Sequence, residues 1–152
     1  MLALIAAAAG VTTFVACAST GSGEGGSISA ALAEIKDLVD STVAEVAEGQ
    51  KVEPDPFGDT GCHDALGAPA DTVTRDYGVK IEFDRDVDLD AVLQDVFDHW
   101  ESREANPSFQ NLESEFPVVR GDRNDNIFEF FVNRKERFAS LGGSTPCMEP
   151  DE

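Results

Sequence analysis

Between Thr72 and Phe83 the chain alternates with a period of two. Val73, Tyr77, Val79, Ile81 and Phe83 share one parity, and Thr72, Thr74, Asp76, Lys80 and Glu82 share the other. A strand patterned this way has one face to bury and one to leave in water. It therefore needs neighbouring strands for its backbone groups and a covering layer for its apolar side. Arg75 interrupts the apolar row near its start, and Gly78 marks a place for a bulge or a close backbone approach.

Two helical stripes can supply the cover. Ile28, Leu32, Ile35, Leu38, Val39, Val43 and Val46 recur at helical spacing, with Glu34, Lys36, Asp37, Asp40 and Glu45 on other faces. This predicts a helix from Ser27 until Gly49 ends the run. Its polar face is acidic, whereas membrane-surface helices carry a basic one, so it is expected to pack on the domain. Leu89, Val92, Leu93, Val96, Phe97 and Trp100 form a second stripe, ending near Glu104 with Asn106-Pro107 as the stop. His99 sits on its last turn, where a cationic imidazole interacts favourably with the helix C-terminus.

Asp84, Asp86, Asp88, Asp90 and Asp95 fall at offsets 1, 3, 5, 7 and 12, the spacing of an EF-hand calcium loop. Leu89 stands where that loop turns on glycine, Asp95 replaces the bidentate glutamate, and a strand enters where a helix should. Asp88 or Asp86 is accordingly expected as an N-cap, with weak surface binding of a cation by Asp84 to Asp95 as the alternative.

Gln50 to Thr60 carries Pro54, Pro56 and Gly58 without periodicity and reads as a loop. Leu112, Ser114, Phe116 and Val118 alternate with Glu113, Glu115 and Val119, which predicts a second strand with Pro117 at an edge or bulge. Gly121 to Asn126 is a polar turn, Ile127 to Val132 a third strand, Asn133 to Glu136 a turn and Arg137 to Ser144 a fourth strand. If Phe128 and Phe130 line the core, Phe131 must face outward or be covered by another layer, with the first helix as its expected cover. The order is helix, strand, helix, strand, strand, strand. It predicts an α+β, two-layer domain: a mostly antiparallel four-stranded sheet with helices on one face.

The N-terminus is uncharged and mostly apolar up to Cys17. Residues 1–16 are too short to cross about 30 Å of hydrocarbon, for which roughly 20 apolar residues are needed. They read as a signal peptide. Val15-Ala16-Cys17 resembles the bacterial lipobox, with Phe14 in place of a leucine-like residue and no Lys or Arg ahead of the apolar run, which leaves room for a basic segment upstream of Met1. The lipobox implies palmitate-type acylation at Cys17 and anchoring to the extracytoplasmic face of the cell membrane. Two acyl chains, at roughly 0.8 kcal/mol per buried methylene, make release slow. The expected organisation is a signal peptide at 1–16, the lipidated cysteine with a Ser/Thr/Gly-rich tether at 17–27, and one domain at 28–152. A secreted chain with Cys17 buried and free is the alternative.

With Cys17 assigned to lipid, Cys62 and Cys147 remain as an even pair in an oxidising compartment. A disulfide is expected, pinning the C-terminal tail to the start of the sheet. A zinc site of Cys62, His63 and Cys147 lacks the paired spacing zinc prefers, and no metal ligand or cofactor is assigned. Acidic residues number 30 against 11 basic, a net charge of −19, which excludes nucleic acid as a natural partner and disfavours adsorption to anionic lipid. There is no Gly-x-Ser-x-Gly elbow, His-Glu-x-x-His pair or phosphate loop, so no catalytic residue is assigned; an envelope hydrolase using acidic residues is the alternative.

Cys17 with its small-residue tether, the first helix, Cys62, the Trp-bearing helix and the terminal Gly142-Gly143-Ser144-Thr145-Pro146-Cys147 together resemble small actinobacterial cell-envelope lipoproteins of the mycobacterial LppA kind. The resemblance implies a lipid-anchored cell-surface protein with an internal disulfide. A non-catalytic binding or envelope-assembly module is then expected, with an envelope protein, a peptide or a glycan as partner.

Overall fold

The structure is a computed structural model and describes residues 26–55 and 58–151. Its elements run α1 (Ile28–Val46), β1 (Lys51–Asp55), β2 (Asp59–His63), β3 (Pro69–Glu82), α2 (Leu89–Ser102), β4 (Ser108–Gln110), β5 (Val118–Arg123), β6 (Asn126–Asn133) and β7 (Phe138–Ser144). The α+β class stands, but the sheet has seven strands rather than four. Its order is β1-β3-β7-β6-β5-β4, every neighbouring pair antiparallel, with β2 joined to β3.

β3 is the axis of this sheet. β1 and β2 lie end to end along one of its edges, pairing Lys51 with Glu82 at one end and His63 with Pro69 at the other. Its second edge pairs with β7 and, beyond Asp76, with the tail through Val73 and Met148. The expected loop from Gln50 to Thr60 is thus corrected to parts of two strands. Only Val52 is apolar in Lys51–Asp55, so the strand is ordered by the ladder that β3 offers and not by a pattern of its own.

The expected strand from Leu112 to Val119 is also displaced. Regular pairing begins at Val118, and the 111–117 segment folds irregularly beside β6, with Val132 N donating to Pro117 O (3.0 Å) and Arg134 N to Glu115 O (3.0 Å). Arg134 holds this segment through the carbonyls of Ser114 and Leu112. The turn placed at Gly121 to Asn126 shrinks to Asn124-Asp125. Both have positive φ, 51° and 64°, as a two-residue hairpin of the primed kind requires. Glu34 of α1 accepts from the Asn124 side chain at 3.0 Å and so fastens that turn to the helix layer.

Both helices start where a cap is available. Ser27 accepts from Ala30 N at 3.1 Å, and Asp88 accepts from Asp90 N and Ala91 N. α2 ends at Ser102 rather than near Glu104, which already has left-handed backbone (φ 57°). The helices lie together on one face of the sheet, over fully buried Ile35, Leu38, Ile81, Val96, Trp100, Phe128, Phe130 and Leu141. Close approach there depends on two glycines. A Cβ at Gly143 would stand 2.9 Å from Ile35 Cγ2, and one at Gly121 2.3 Å from the Ala105 carbonyl oxygen. At the centre, Trp100 Nε1 donates to Thr42 Oγ1 (2.9 Å), which donates to Leu38 O (2.6 Å).

Cys62 and Cys147 are joined by a disulfide, with Cα atoms 6.2 Å apart. The bond ties β2, which pairs with β3 alone, to the tail that runs along the opposite edge of β3. Cys17 and its flanking residues lie outside the described residues.

Candidate functional site

Strand alternation places one set of side chains under the helices and the other on the far side of the sheet. The register defines that second face row by row. Asp76, Ser144 and Ile127 are cross-strand neighbours, as are Gly78, Gly142, Glu129 and Arg120, and then Lys80, Ser140, Phe131 and Val118. No helix packs on these rows among the described residues.

The middle row carries the shape. Gly78 and Gly142 are paired and have no side chains, so the rows on either side stand as walls above a bare strip of backbone. About four residues of rise, or roughly 13 Å, separate the walls. A depression of about 340 Å³ results, lined by Asp76, Arg120, Ile127, Glu129, Phe131, Ser140 and Ser144 with the backbone of β7. Both polar and apolar contacts are available in it. Ile127 is 44% exposed, and Phe131 is stacked on Phe116, itself 43% exposed, with ring centroids 5.8 Å apart. Asp76 Oδ1 is buried without a hydrogen-bond partner among the described residues.

The charges of β1 and β3 beside the depression are tied to one another. Lys51 bridges Glu53 (3.1 Å) and Glu82 (3.3 Å), which raises the lysine pKa and lowers that of Glu82 through exposed contacts. Lys80 reaches Glu82 at 3.4 Å and lies over the Phe138 ring at 4.9 Å. On the opposite parity of β3, the Arg75 guanidinium makes a two-pronged contact with Asp59 and holds that carboxyl below its ordinary range.

Several side chains singled out in the sequence lie elsewhere. Phe128 and Phe130 are in the core as expected, whereas Phe131 is on the opposite side from α1 and is covered at one corner by Phe116, which corrects the expectation that the first helix covers it. In the Asp84 to Asp95 segment the carboxylates do not converge: Asp88 caps α2 and Asp90 pairs with Arg134 at 2.7 Å. Among the described residues no group of three metal-capable side chains gathers. His99 contacts Ser41 Oγ at 3.0 Å between α1 and α2, away from the uncovered face. Burial lowers its pKa, and Glu45 opposes the shift. Asp76, Ile127 and Phe116 were not assigned as a site by the sequence. The signal for Asp76 was its place on the wet parity of β3 beside Gly78, but its neighbours across β7 and β6 depend on a register that only the fold sets.

No protein-family model matches the chain, and no curated protein sequence matches it. Among solved structures, LppA of Mycobacterium tuberculosis, a protein named as a lipoprotein, is similar at a TM-score of 0.54 and 18% identity, with 82% of this chain and 79% of that one covered. At this identity the likeness shows a shared fold, and the resemblance to the LppA kind holds at that level. No described helix is long and apolar enough to cross a membrane.

Proposed function

We propose that the chain is an extracytoplasmic lipoprotein, held at the cell membrane by acyl chains on Cys17, that works as a non-catalytic binding or assembly module of the envelope. The observation that carries the binding role is the one-sided sheet. Two helices cover one face, while the other keeps Ile127, Phe116 and Phe131 in partial contact with solvent around a depression. Exposed apolar side chains grouped on one face of a protein mark interaction surfaces more often than scattered ones do. The lipobox-like Val15-Ala16-Cys17, the fold shared with a protein named as a lipoprotein, and a disulfide between Cys62 and Cys147 support the location. An envelope protein, a peptide or a glycan is the expected partner, and nucleic acid is disfavoured by the net charge of −19.

Photocrosslinking in intact cells tests the face. A benzophenone side chain at Ile127 is expected to give a discrete adduct identified by mass spectrometry, and the same group at Asp37, on exposed α1 surface, none. Equal yields from both positions would contradict the proposal.

A further inference from the structure

We infer that the depression over Gly142 binds an organic cation, a primary ammonium or guanidinium on an apolar stem. The inference rests on reading the uncovered face as the binding surface and names its ligand class. Three observations converge on it. Asp76 Oδ1 is withdrawn from solvent and has no donor among the described residues, and a buried carboxylate oxygen left without a donor is costly. Asp76 is itself half-buried and lines the depression, so an occupant's N–H group brought to the carboxylate offsets that cost. Glu129 stands on the same depression, so two carboxylates line it. Of the cations near them, Lys80 is engaged by Glu82 and the Phe138 ring. Arg120 is the cross-strand neighbour of Glu129 on the same depression and offsets that carboxylate, but it lies on β5, three strands from Asp76. The Asp76 end is therefore negative, in a chain already at −19, and an anionic ligand would be repelled there.

The third observation is the wall chemistry. Ile127 and the stacked Phe131–Phe116 pair flank the glycine strip, which suits a methylene chain or a ring leading to the charged group. Ser144, the cross-strand neighbour of Asp76, supplies a hydroxyl to a remaining N–H donor of an ammonium. A bare metal ion would find a poorer fit, since it needs several convergent oxygen ligands and no three metal-capable side chains gather among the described residues.

The test is a nitrogen–proton NMR titration of the full chain with phenethylamine, with its uncharged analogue phenethyl alcohol, and with calcium chloride. Phenethylamine is expected to give saturable shifts at Asp76, Ile127 and Gly142, with the alcohol binding about ten-fold more weakly or worse, as loss of a charged hydrogen bond predicts. Asp76→Asn should weaken the amine by a similar factor with the rest of the spectrum preserved, and Glu129→Gln should weaken it less. A Phe-Lys-Phe tripeptide blocked at both ends separates the sources of the cation: tighter binding than phenethylamine assigns a peptide side chain, weaker binding a free amine. Equal affinity for amine and alcohol, an unaffected Asp76→Asn variant, or the same shifts with calcium would each overturn the inference. Absence of any shift with the amine would overturn it too. Crosslinking from Ile127 judges the wider binding role independently of all these results.

Discussion

Replacing Thr42 with valine changes one oxygen for one methyl at the point where α1 meets α2. Thr42 is fully buried, its hydroxyl accepts from Trp100 Nε1 at 2.9 Å, and it donates to Leu38 O at 2.6 Å. Valine matches the shape, so no cavity term arises. Leu38 O loses little, because it still accepts the helical N–H one turn on. The indole N–H of Trp100, also fully buried, is left with no acceptor, at a cost of about 1–3 kcal/mol that the added apolar methyl offsets in part. A net loss of about 1–2 kcal/mol is expected, or roughly 3–10 °C in Tm for a domain of this size. Urea unfolding followed by the fluorescence of Trp100, the single tryptophan, measures it, with an unchanged m value. The decisive comparison is a double-mutant cycle with Trp100→Phe, followed by circular dichroism. If the stranded N–H is the cause, Thr42→Val costs about 1 kcal/mol less once the indole is gone. The same cost in both backgrounds would refute this reasoning.

Gly143→Ala should lower stability by about 1–3 kcal/mol, because its Cβ would press within 2.9 Å of Ile35 Cγ2 and 3.0 Å of Phe128 Cδ1; a shift in the urea midpoint reports it. Replacing both Cys62 and Cys147 with serine opens a loop with a sequence separation of 85 and should cost up to about 4–5 kcal/mol on the chain-entropy estimate, read by calorimetry against the oxidised protein. His99 adds a pH dependence of known sign. Burial holds its folded pKa below the ordinary 6.5, so the unfolded chain takes up the proton first. Its contribution is complete above about pH 6.5 and is lost as pH falls from there through the folded value. The urea midpoint of the wild type should therefore fall more between about pH 7.5 and pH 5 than that of His99→Gln; equal falls would remove His99 as the cause.

α1, α2, β3, β6 and β7 were legible in the sequence because each carries a long run of one period. Ile28 to Val46 and Leu89 to Trp100 repeat as helices, and Val79, Ile81 and Phe83 alternate so firmly that their burial follows. The cap at Asp88 was legible for the same reason, since the apolar stripe begins directly after it. β1 and β2 were not, because Pro54, Glu53, Asp59 and Gly61 give no pattern; β3 imposes the strand by offering an unpaired edge. The alternation of Leu112 with Phe116 misled in a different way. Both are partly exposed, and their apolar character serves contacts such as Phe116 on Phe131, outside the helix-covered core. The candidate site lay further beyond reach. Asp76, Gly142 and Ile127 are distant in the chain, and the depression exists only because β3, β7 and β6 align two glycines between taller rows.

Intact mass of the protein recovered from its native membrane, before and after reduction with alkylation, tests the central claim, an acylated Cys17 holding a disulfide-closed domain outside the cytoplasm. The expected result is a chain that begins at Cys17, carries added acyl mass, and shows two alkylated thiols only after reduction, with a Cys17→Ala variant released from the membrane. An unprocessed chain with three free thiols, unaffected in its location by Cys17→Ala, would contradict the account.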